Sequence, residues 1–175
     1  MTREQLEHVI RAAASIASDD DIIVVGSQAI LGPHPDATGV LVASMEAYVF
    51  PRNHPERWDL VDGSIGEGSP FHATFGYYAQ GVGPETATLP RGWEQRLVPV
   101  RSPRTAGATG WCLEAHDLLL SKCAAGRDKD FAFLDAAARA GFVKRDVLLE
   151  RVDTMKLDPE VATRVRGRIT RTFAP

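Results

Sequence analysis

Two stretches in the first third of the chain carry residues suited to binding phosphate and a metal ion. Gly26 and Ser27 end the apolar run 22–25 and precede residues that favour a helix. A buried strand, a glycine turn and a helix start point backbone N–H groups and a hydroxyl at an anion. Glu46 lies in a second apolar run, 44–50, and Mg²⁺ prefers oxygen ligands such as its carboxylate. These residues predict phosphate chemistry.

A third stretch, late in the chain, carries basic side chains. Lys122, Arg127, Lys129 and Asp130 lie close together in the sequence. Arginine holds phosphate oxygens with a bidentate fork, and lysine holds them as a point charge. If their helices pack across a cleft, these cations could neutralise charge on a leaving pyrophosphate. A solvated run with a local Arg127–Asp130 ion pair accounts for the same residues, so both interpretations stay open.

The chain resembles the nucleotidyltransferase superfamily with a polymerase-beta-like fold in the stretches VGSQAI, SMEAYV and LEAHDLLLSKCAAGRDKDFAFL. It looks most like the branch of small bacterial proteins found in toxin–antitoxin and abortive-infection systems. The resemblance spans about residues 20–140. The Gly-Ser turn, the acidic strand and the late basic helix pair are specific in combination, although each is common by itself.

The resemblance implies an activity and a set of site residues. The protein would transfer a nucleoside monophosphate from an NTP substrate, with Mg²⁺, to an RNA such as tRNA or to a protein side chain. Its further implied partner is a cognate antitoxin protein. Glu46 would bind the metal, and Lys122 and Asp130 would complete the catalytic set, with Asp130 orienting a basic group or accepting a proton. The implied nucleotide-binding residues are Gly26, Ser27, Arg127 and Lys129.

Tyr48 departs from the family pattern, which places a second acidic residue two positions after the first. A phenol with a pKa near 10 cannot replace a carboxylate ligand of Mg²⁺ at neutral pH. Three alternatives follow: another carboxylate completes the site, metal binding is weak, or the protein is a degenerate relative that binds a nucleotide or a partner without catalysis. A purely structural or interaction module is also open. The candidates for a further carboxylate are Asp59, Asp62, Glu67 and Glu85.

The elements that must position these residues predict an α/β (α+β) fold with a small mixed sheet. A capping box at Thr2 predicts an amphipathic helix over 2–18 that covers the sheet. Strands are predicted near 22–25, 44–50, 96–100 and 111–113, with Pro51 ending the second and Pro99 placing the third at a sheet edge. A helix over 55–62 is predicted to face inward with Trp58, Leu60 and Val61. Segment 63–92 is predicted to be loop-rich, as an irregular core cover or a wall of a cleft.

The last third of the sequence predicts helices over 117–125, 128–140, 144–155 and 159–172, separated by glycines and by Asp158-Pro159. We predict a nucleotidyltransferase-like core over 1–115 and a helical part over 116–175. The helical part should pack on the core to form one compact unit.

The composition is that of an ordinary folded protein. Of the 175 residues, 44% are hydrophobic and 25% are charged, so global disorder is not expected. No apolar run approaches the length of a membrane span, and the N-terminus starts a helix and not a signal peptide. We therefore expect a cytoplasmic protein with no membrane partner. Cys112 and Cys123 lack CxxC spacing and are expected to be reduced core thiols.

Overall fold

A five-stranded mixed sheet forms the centre of the protein, for which a computed structural model describes residues 1–174. The sheet order is β3-β2-β1-β5-β4. Strand β1 is antiparallel to β2 and parallel to β5, while β2 is parallel to β3 and β4 is antiparallel to β5. The predicted mixed α/β class is confirmed. The strands are β1 (Asp21–Val25), β2 (Glu46–Pro51), β3 (Tyr78–Gly81), β4 (Val98–Val100) and β5 (Thr109–Cys112).

Helix α1 (Arg3–Ala17) packs on the sheet, as its apolar spacing predicts. Thr2 and Gln5 form the predicted capping box, which satisfies backbone donors at the helix start. The helix contacts β1, β2, β3 and β5. Gly110 in β5 allows this close approach, because a Cβ atom there would lie 2.3 Å from the Cδ1 atom of Ile10. The apolar stripe of α1 therefore covers one face of the sheet.

Strand β1 occupies the middle of the sheet, and residues 22–25 are at most 2% exposed. This explains why it reads as an unbroken apolar run, since a central strand that is covered on both faces needs no polar alternation. The segment after it, Ser27–Leu31, is a five-residue 3₁₀ helix that ends at Gly32. The predicted helix start is thus present but is too short to develop the dipole of an α-helix.

Some predicted boundaries and faces are wrong. Strand β2 begins at Glu46 instead of residue 44, and it includes Pro51, which ends the strand as predicted. The predicted helix after Pro55 is a 3₁₀ turn followed by α2 (Trp58–Ile65). Trp58 and Leu60 are 37% and 51% exposed, whereas Val61 is fully buried. A helix this short buries only a narrow stripe, here Val61 and Ile65, so its other apolar side chains face solvent.

Segment 63–92 contains two elements that the sequence did not predict, α3 (Pro70–Phe75) and β3. Both are short and lie among glycines and prolines, which mask their periodicity. His8, Phe71, Phe75 and Tyr77 form an aromatic cluster between this segment and α1. The first part of the segment is therefore a core cover, whereas its last part, after β3, lines hollows at the surface.

The C-terminal third is helical, as predicted, with α4 (Ala115–Ala125), α5 (Asp128–Arg139), α6 (Arg145–Val152) and α7 (Pro159–Thr172). Helix α4 is its centre and contacts α5, α6, α7 and the 3₁₀ segment after β1. Residues 118–120 of α4 are at most 1% exposed. The division into parts 1–115 and 116–175 stays a prediction. Within residues 1–174, no helix is long and apolar enough to cross a membrane.

Cys112 and Cys123 are free thiols in the core, in agreement with the sequence prediction. Burial raises the pKa of each thiol to about 12. A thiol with so high a pKa carries almost no thiolate at neutral pH, so neither cysteine is a candidate nucleophile.

Candidate functional site

The sequence-predicted site residues come together where the ends of β1 and β2 meet the junction between α4 and α5. A central hollow of about 30 Å³ adjoins two larger chambers of about 290 Å³ each. Six of the seven predicted site residues face the central hollow, and the seventh, Asp130, lies buried behind them. The residues that line the central hollow are Gly26, Ser27, Glu46, Tyr48, Lys122, Arg127 and Lys129.

The two chambers differ in their linings. The first chamber extends from Tyr48 toward segment 86–88 and the small or apolar side chains of α4, among them Leu118 and Ser121. The second chamber shares Ser27 and Glu46 with the central hollow and extends toward Val40 and Phe133. The central hollow is therefore a charged passage between two less charged spaces. A ligand longer than one phosphate group would have to extend into a chamber.

The turn after β1 requires glycine at position 26. Its φ of 70° lies in the left-handed region. A Cβ atom at this position would also lie 3.3 Å from both Cβ and Cγ of Tyr48, which is a tight contact. The glycine thus lets the turn approach β2 closely and brings Ser27 to the edge of the hollow.

Lys122 connects this turn to the C-terminal helices. Its Nζ atom donates to the Oγ atom of Ser27 at 3.1 Å and to Oδ1 of Asp130 at 3.1 Å. The ammonium group also lies 4.5 Å from the ring centre of Phe133, a cation–π contact. Since its side chain is only 7% exposed, Lys122 presents a fixed charge at the back of the hollow.

Asp130 holds two of the cleft's cations in place. Its side chain is fully buried, and Arg127 donates to it from Nε at 2.7 Å and from Nη2 at 3.2 Å. Both carboxylate oxygens therefore accept charge-assisted hydrogen bonds. This geometry favours the predicted orienting role of Asp130 over the predicted role as a proton acceptor, because neither oxygen is left for a substrate.

The pKa values of the pair follow from burial and from these contacts. Burial lowers the pKa of Lys122, and the hydrogen bond to Asp130 partly offsets that effect. Burial alone would raise the pKa of Asp130, but the hydrogen bonds from Arg127 and Lys122 outweigh it and hold the pKa below its ordinary value. Asp130 is thus an anion at neutral pH and serves as the shared counter-ion of two cations.

Glu46 and Tyr48 project from the same side of β2, while Ala47 and Val49 between and beyond them are buried. The register of the sheet places Tyr78 beside Glu46, and the Tyr78 hydroxyl donates to Oε2 of Glu46 at 3.1 Å. Burial, and next the charge of Glu46, raises the pKa of Tyr48. Tyr48 is therefore a neutral phenol at physiological pH. The cleft has one carboxylate where the family pattern has two.

The four further carboxylates that the sequence offered do not line the central hollow. Asp62 accepts hydrogen bonds from the Gln80 side chain and the Gly81 backbone, which makes it part of the contact between α2 and β3. Asp59 accepts from the backbone N–H of Leu60. In the described part of the chain, no group of three or more His, Cys, Asp and Glu side chains could hold a metal ion. Glu46 is left as the one metal-ligand candidate in the cleft.

A protein-family comparison bears on this arrangement. Residues 4–168 match a family described as "Nucleotidyltransferase of unknown function (DUF6036)". The chain belongs to this family. Neither the curated proteins nor the solved structures yielded a match. Nucleotidyltransferase membership agrees with the resemblance inferred from the sequence, and it covers nearly the whole chain rather than residues 20–140 alone.

Several residues in or beside this cleft were not predicted to belong to it. Tyr78 was missed because β3 was not recognised as a strand, so nothing placed it beside Glu46. Thr86 and Thr88 lie in a segment without periodicity, and no sequence signal could have placed them in the first chamber. Ser121 was within reach of prediction, since it precedes Lys122 on the helix that carries the family resemblance.

Proposed function

We propose that the cleft binds a nucleoside triphosphate and transfers its nucleoside monophosphate to an acceptor hydroxyl on an RNA, such as tRNA, or on a protein. The observation that carries this proposal is the convergence of the Gly26–Ser27 turn, Glu46 and three cations on one hollow. These groups come from β1, β2, α4 and α5, so their meeting is a property of the fold and not of local sequence. Family membership supports the same reaction class.

The proposed roles follow from the contacts. The phosphates lie along Ser27 and Lys122, and the base and ribose occupy the first chamber. The acceptor oxygen attacks the α-phosphorus, the bond from that phosphorus to the bridging oxygen of pyrophosphate breaks, and the acceptor proton passes to water. Lys122, Arg127 and Lys129 neutralise the charge that develops on the leaving pyrophosphate. Asp130 is a positioning residue that orients Lys122 and Arg127.

The donor set fits Mg²⁺ only as an ion that shares its ligands with the nucleotide. Mg²⁺ keeps several waters and is commonly bound by one or two carboxylates together with substrate phosphates. Glu46 is the residue that would hold it. When bound, the ion would polarise phosphate oxygens and neutralise their charge. The single carboxylate predicts weak metal binding without nucleotide and measurable binding with it.

Calorimetry and a transfer assay test the proposal together. We expect NTP binding that Mg²⁺ strengthens, and transfer of label from an α-labelled NTP to total tRNA or to protein. Glu46→Gln should reduce transfer by about 100-fold or more, the size expected when an electrostatic group of the transition state is lost. Glu94→Gln is the matched control, because Glu94 is exposed and lies outside the lining of the cleft. Equal transfer by wild type and Glu46→Gln would refute the site assignment.

Tyr48 favours a second candidate, a non-catalytic member that binds a nucleotide or a partner protein. Its neutral phenol occupies the position of the second carboxylate and packs against Gly26. This candidate predicts nucleotide binding without metal dependence and no transfer by the wild type. Tyr48→Asp would then introduce metal-dependent binding, and Tyr48→Phe would not. Transfer by the wild type above that of Glu46→Gln would exclude this candidate.

We further propose that the protein acts in the cytoplasm as the toxin of a toxin–antitoxin pair. The resemblance of its Gly-Ser turn and basic helix pair to that bacterial branch supports this role. Expression of the wild type in bacterial cells should then slow growth, and Glu46→Gln should restore it at equal protein level. Equal growth with both proteins would contradict the toxin role and leave the transfer assay as the test of chemistry.

A further inference from the structure

A separate groove continues the first chamber away from the charged passage. Its volume is about 530 Å³, and it lies between the segment that follows β3 and the turn between α6 and α7. Ala87 and Thr88 line both the first chamber and this side groove. A ligand in the side groove is therefore adjacent to a ligand in the cleft. The residues that define its chemistry are Leu89, Arg91, Trp93, Thr154 and Lys156.

The two walls of the side groove are tied to each other by backbone contacts. The Arg91 backbone N–H donates to the Thr154 carbonyl oxygen at 3.3 Å. Nη2 of Arg96 donates to the Arg91 carbonyl oxygen at 3.1 Å, and Arg96 itself pairs with the buried Asp117 at 2.8 Å. The groove is thus preformed, and a ligand would not have to order it, which lowers the entropy cost of binding.

The charges and the aromatic surface of the side groove specify a class of ligand. Arg91 and Lys156 are both exposed, and neither forms an ion pair with any of residues 1–174. No carboxylate is among the side chains that line the groove. Trp93 is half-buried and lines the same groove as these two cations. Two unpaired cations that share a groove with an indole ring suit a single-stranded nucleic acid. Its phosphates would contact the cations, and its bases could stack on the ring.

We propose that the side groove binds single-stranded nucleic acid and delivers its end to the cleft. One base stacks on Trp93, and Arg91 and Lys156 contact the neighbouring phosphates. The delivery of the strand's end to the cleft rests on the proposed function. In that arrangement the acceptor of the transferred group is a nucleic acid and not a protein. An acidic peptide would use the two cations but would gain little from the indole, so the aromatic residue separates the two classes of partner.

Fluorescence anisotropy with labelled six-nucleotide RNA and DNA, without NTP or Mg²⁺, tests the groove by itself. We expect Arg91→Gln with Lys156→Gln to weaken binding and to reduce the slope of log affinity against log salt by about 1.4, or 0.7 for each lost phosphate contact. Trp93→Leu should weaken binding about tenfold, and Trp93→Phe should restore most of it. The matched controls are Arg101→Gln with Lys144→Gln and Trp58→Leu, which change exposed side chains outside the groove.

Defined outcomes overturn the inference. It fails if the wild type binds neither oligonucleotide, or if the groove variants keep the wild-type affinity and salt slope. It also fails if a labelled acidic peptide binds with the affinity of the oligonucleotides and Trp93→Leu weakens the binding of neither ligand, since the groove is then a peptide site. NTP binding by calorimetry should be unchanged in every groove variant. Loss of NTP binding by the wild type would refute the proposed function, whereas the oligonucleotide result would still decide the groove.

Discussion

Asp130 is the residue on which the charge arrangement of the cleft depends. It is fully buried, it contacts Lys122 and Arg127, and one of these partners reaches Ser27 on the opposite wall. Removing one member of a buried ion pair is strongly destabilising, because the charge that remains is buried without a counter-ion. Its pKa is lowered below the ordinary value, so the charge persists throughout the neutral range.

The substitution Asp130→Asn should therefore destabilise the protein. It leaves Lys122 buried without a counter-ion, and we expect a loss of about 3 kcal/mol in the free energy of unfolding. Urea unfolding followed by circular dichroism measures the change. Asp128→Asn is the control, since Asp128 is exposed two residues earlier in the same helix and should change stability by less than about 0.5 kcal/mol. Equal values for both variants would show that the Lys122–Asp130 contact does not contribute to folding.

Among the elements, the contact between the turn after β1 and strand β2 sets the width of the cleft. Gly26 belongs to the turn and Tyr48 to the strand, and the two are in close contact. β1 and β2 are neighbouring antiparallel strands, with Val25 paired to Tyr48. The tyrosine is thus a packing partner of the turn as well as a lining residue of the cleft.

Because of this contact, we expect Gly26→Ala to lower the free energy of unfolding by more than the positive φ alone would. Gly39 is the matched position, because its φ of 63° is similar and a Cβ atom there would meet nothing within 4 Å. Alanine at either position should cost about 1–2 kcal/mol from the left-handed backbone. At position 26 the contact with Tyr48 should add about 1 kcal/mol or more, as overpacking does.

Urea unfolding of both alanine variants, alone and with Tyr48→Ala, measures this difference. In the Tyr48→Ala background the Tyr48 ring is absent, so the extra cost at position 26 should shrink. Position 39 has no such partner, so the cost of alanine there should be the same in both backgrounds. Equal costs at the two glycines, or no change in the Tyr48→Ala background, would contradict the proposed role of this contact.

On the scale of the whole molecule, a second ion network joins the sheet-side segment to the C-terminal helices. Arg151 of α6 contacts Glu114 at 2.5 Å and the buried Asp117 at 2.8 Å, and Arg96 reaches Asp117 from before β4. His116 accepts a hydrogen bond from the Lys144 backbone and contacts Glu114. This network lies apart from the cleft and connects α4, α6 and segment 93–96.

The network predicts an acid-dependent loss of stability. Burial would raise the pKa of Glu114, but hydrogen bonds from His116 and Arg151 lower it from 4.5 to about 2. Because the folded pKa is below the unfolded one, the stabilisation is complete above pH 4.5 and is lost as the pH falls toward 2. A shift of this size corresponds to on the order of 3 kcal/mol.

Comparison of the wild type with Glu114→Gln separates the contribution of the Glu114 charge to stability from the contributions of the other carboxylates. The wild type should be more stable at pH 6, and the difference between the two proteins should disappear as the pH approaches 2. Urea unfolding at a series of pH values measures it. A difference that stays constant with pH would mean that the Glu114 charge does not stabilise the fold.

Fold class was predictable because it depends on patterns between near neighbours. The capping box at Thr2 started a helix, the apolar run 22–25 made a buried strand, and Pro99 marked an edge strand, since each signal acts within a few residues. Strand β3 and the exposed faces of α2 were not predictable in this way. A four-residue strand between glycines has too little periodicity to detect, and the face that a short helix buries depends on what packs against it.

The sequence by itself determined which residue types could bind phosphate. It also showed that Tyr48 stands where the family pattern has a second carboxylate. Only the tertiary structure decided that these residues meet. Lys122 and Ser27 are 95 positions apart, and their hydrogen bond exists because α4 packs on the segment after β1. The structure likewise decided that Asp130 is a buried counter-ion and that Trp93 and Lys156 line the same groove. Such contacts follow from the packing of distant elements, which no local pattern encodes.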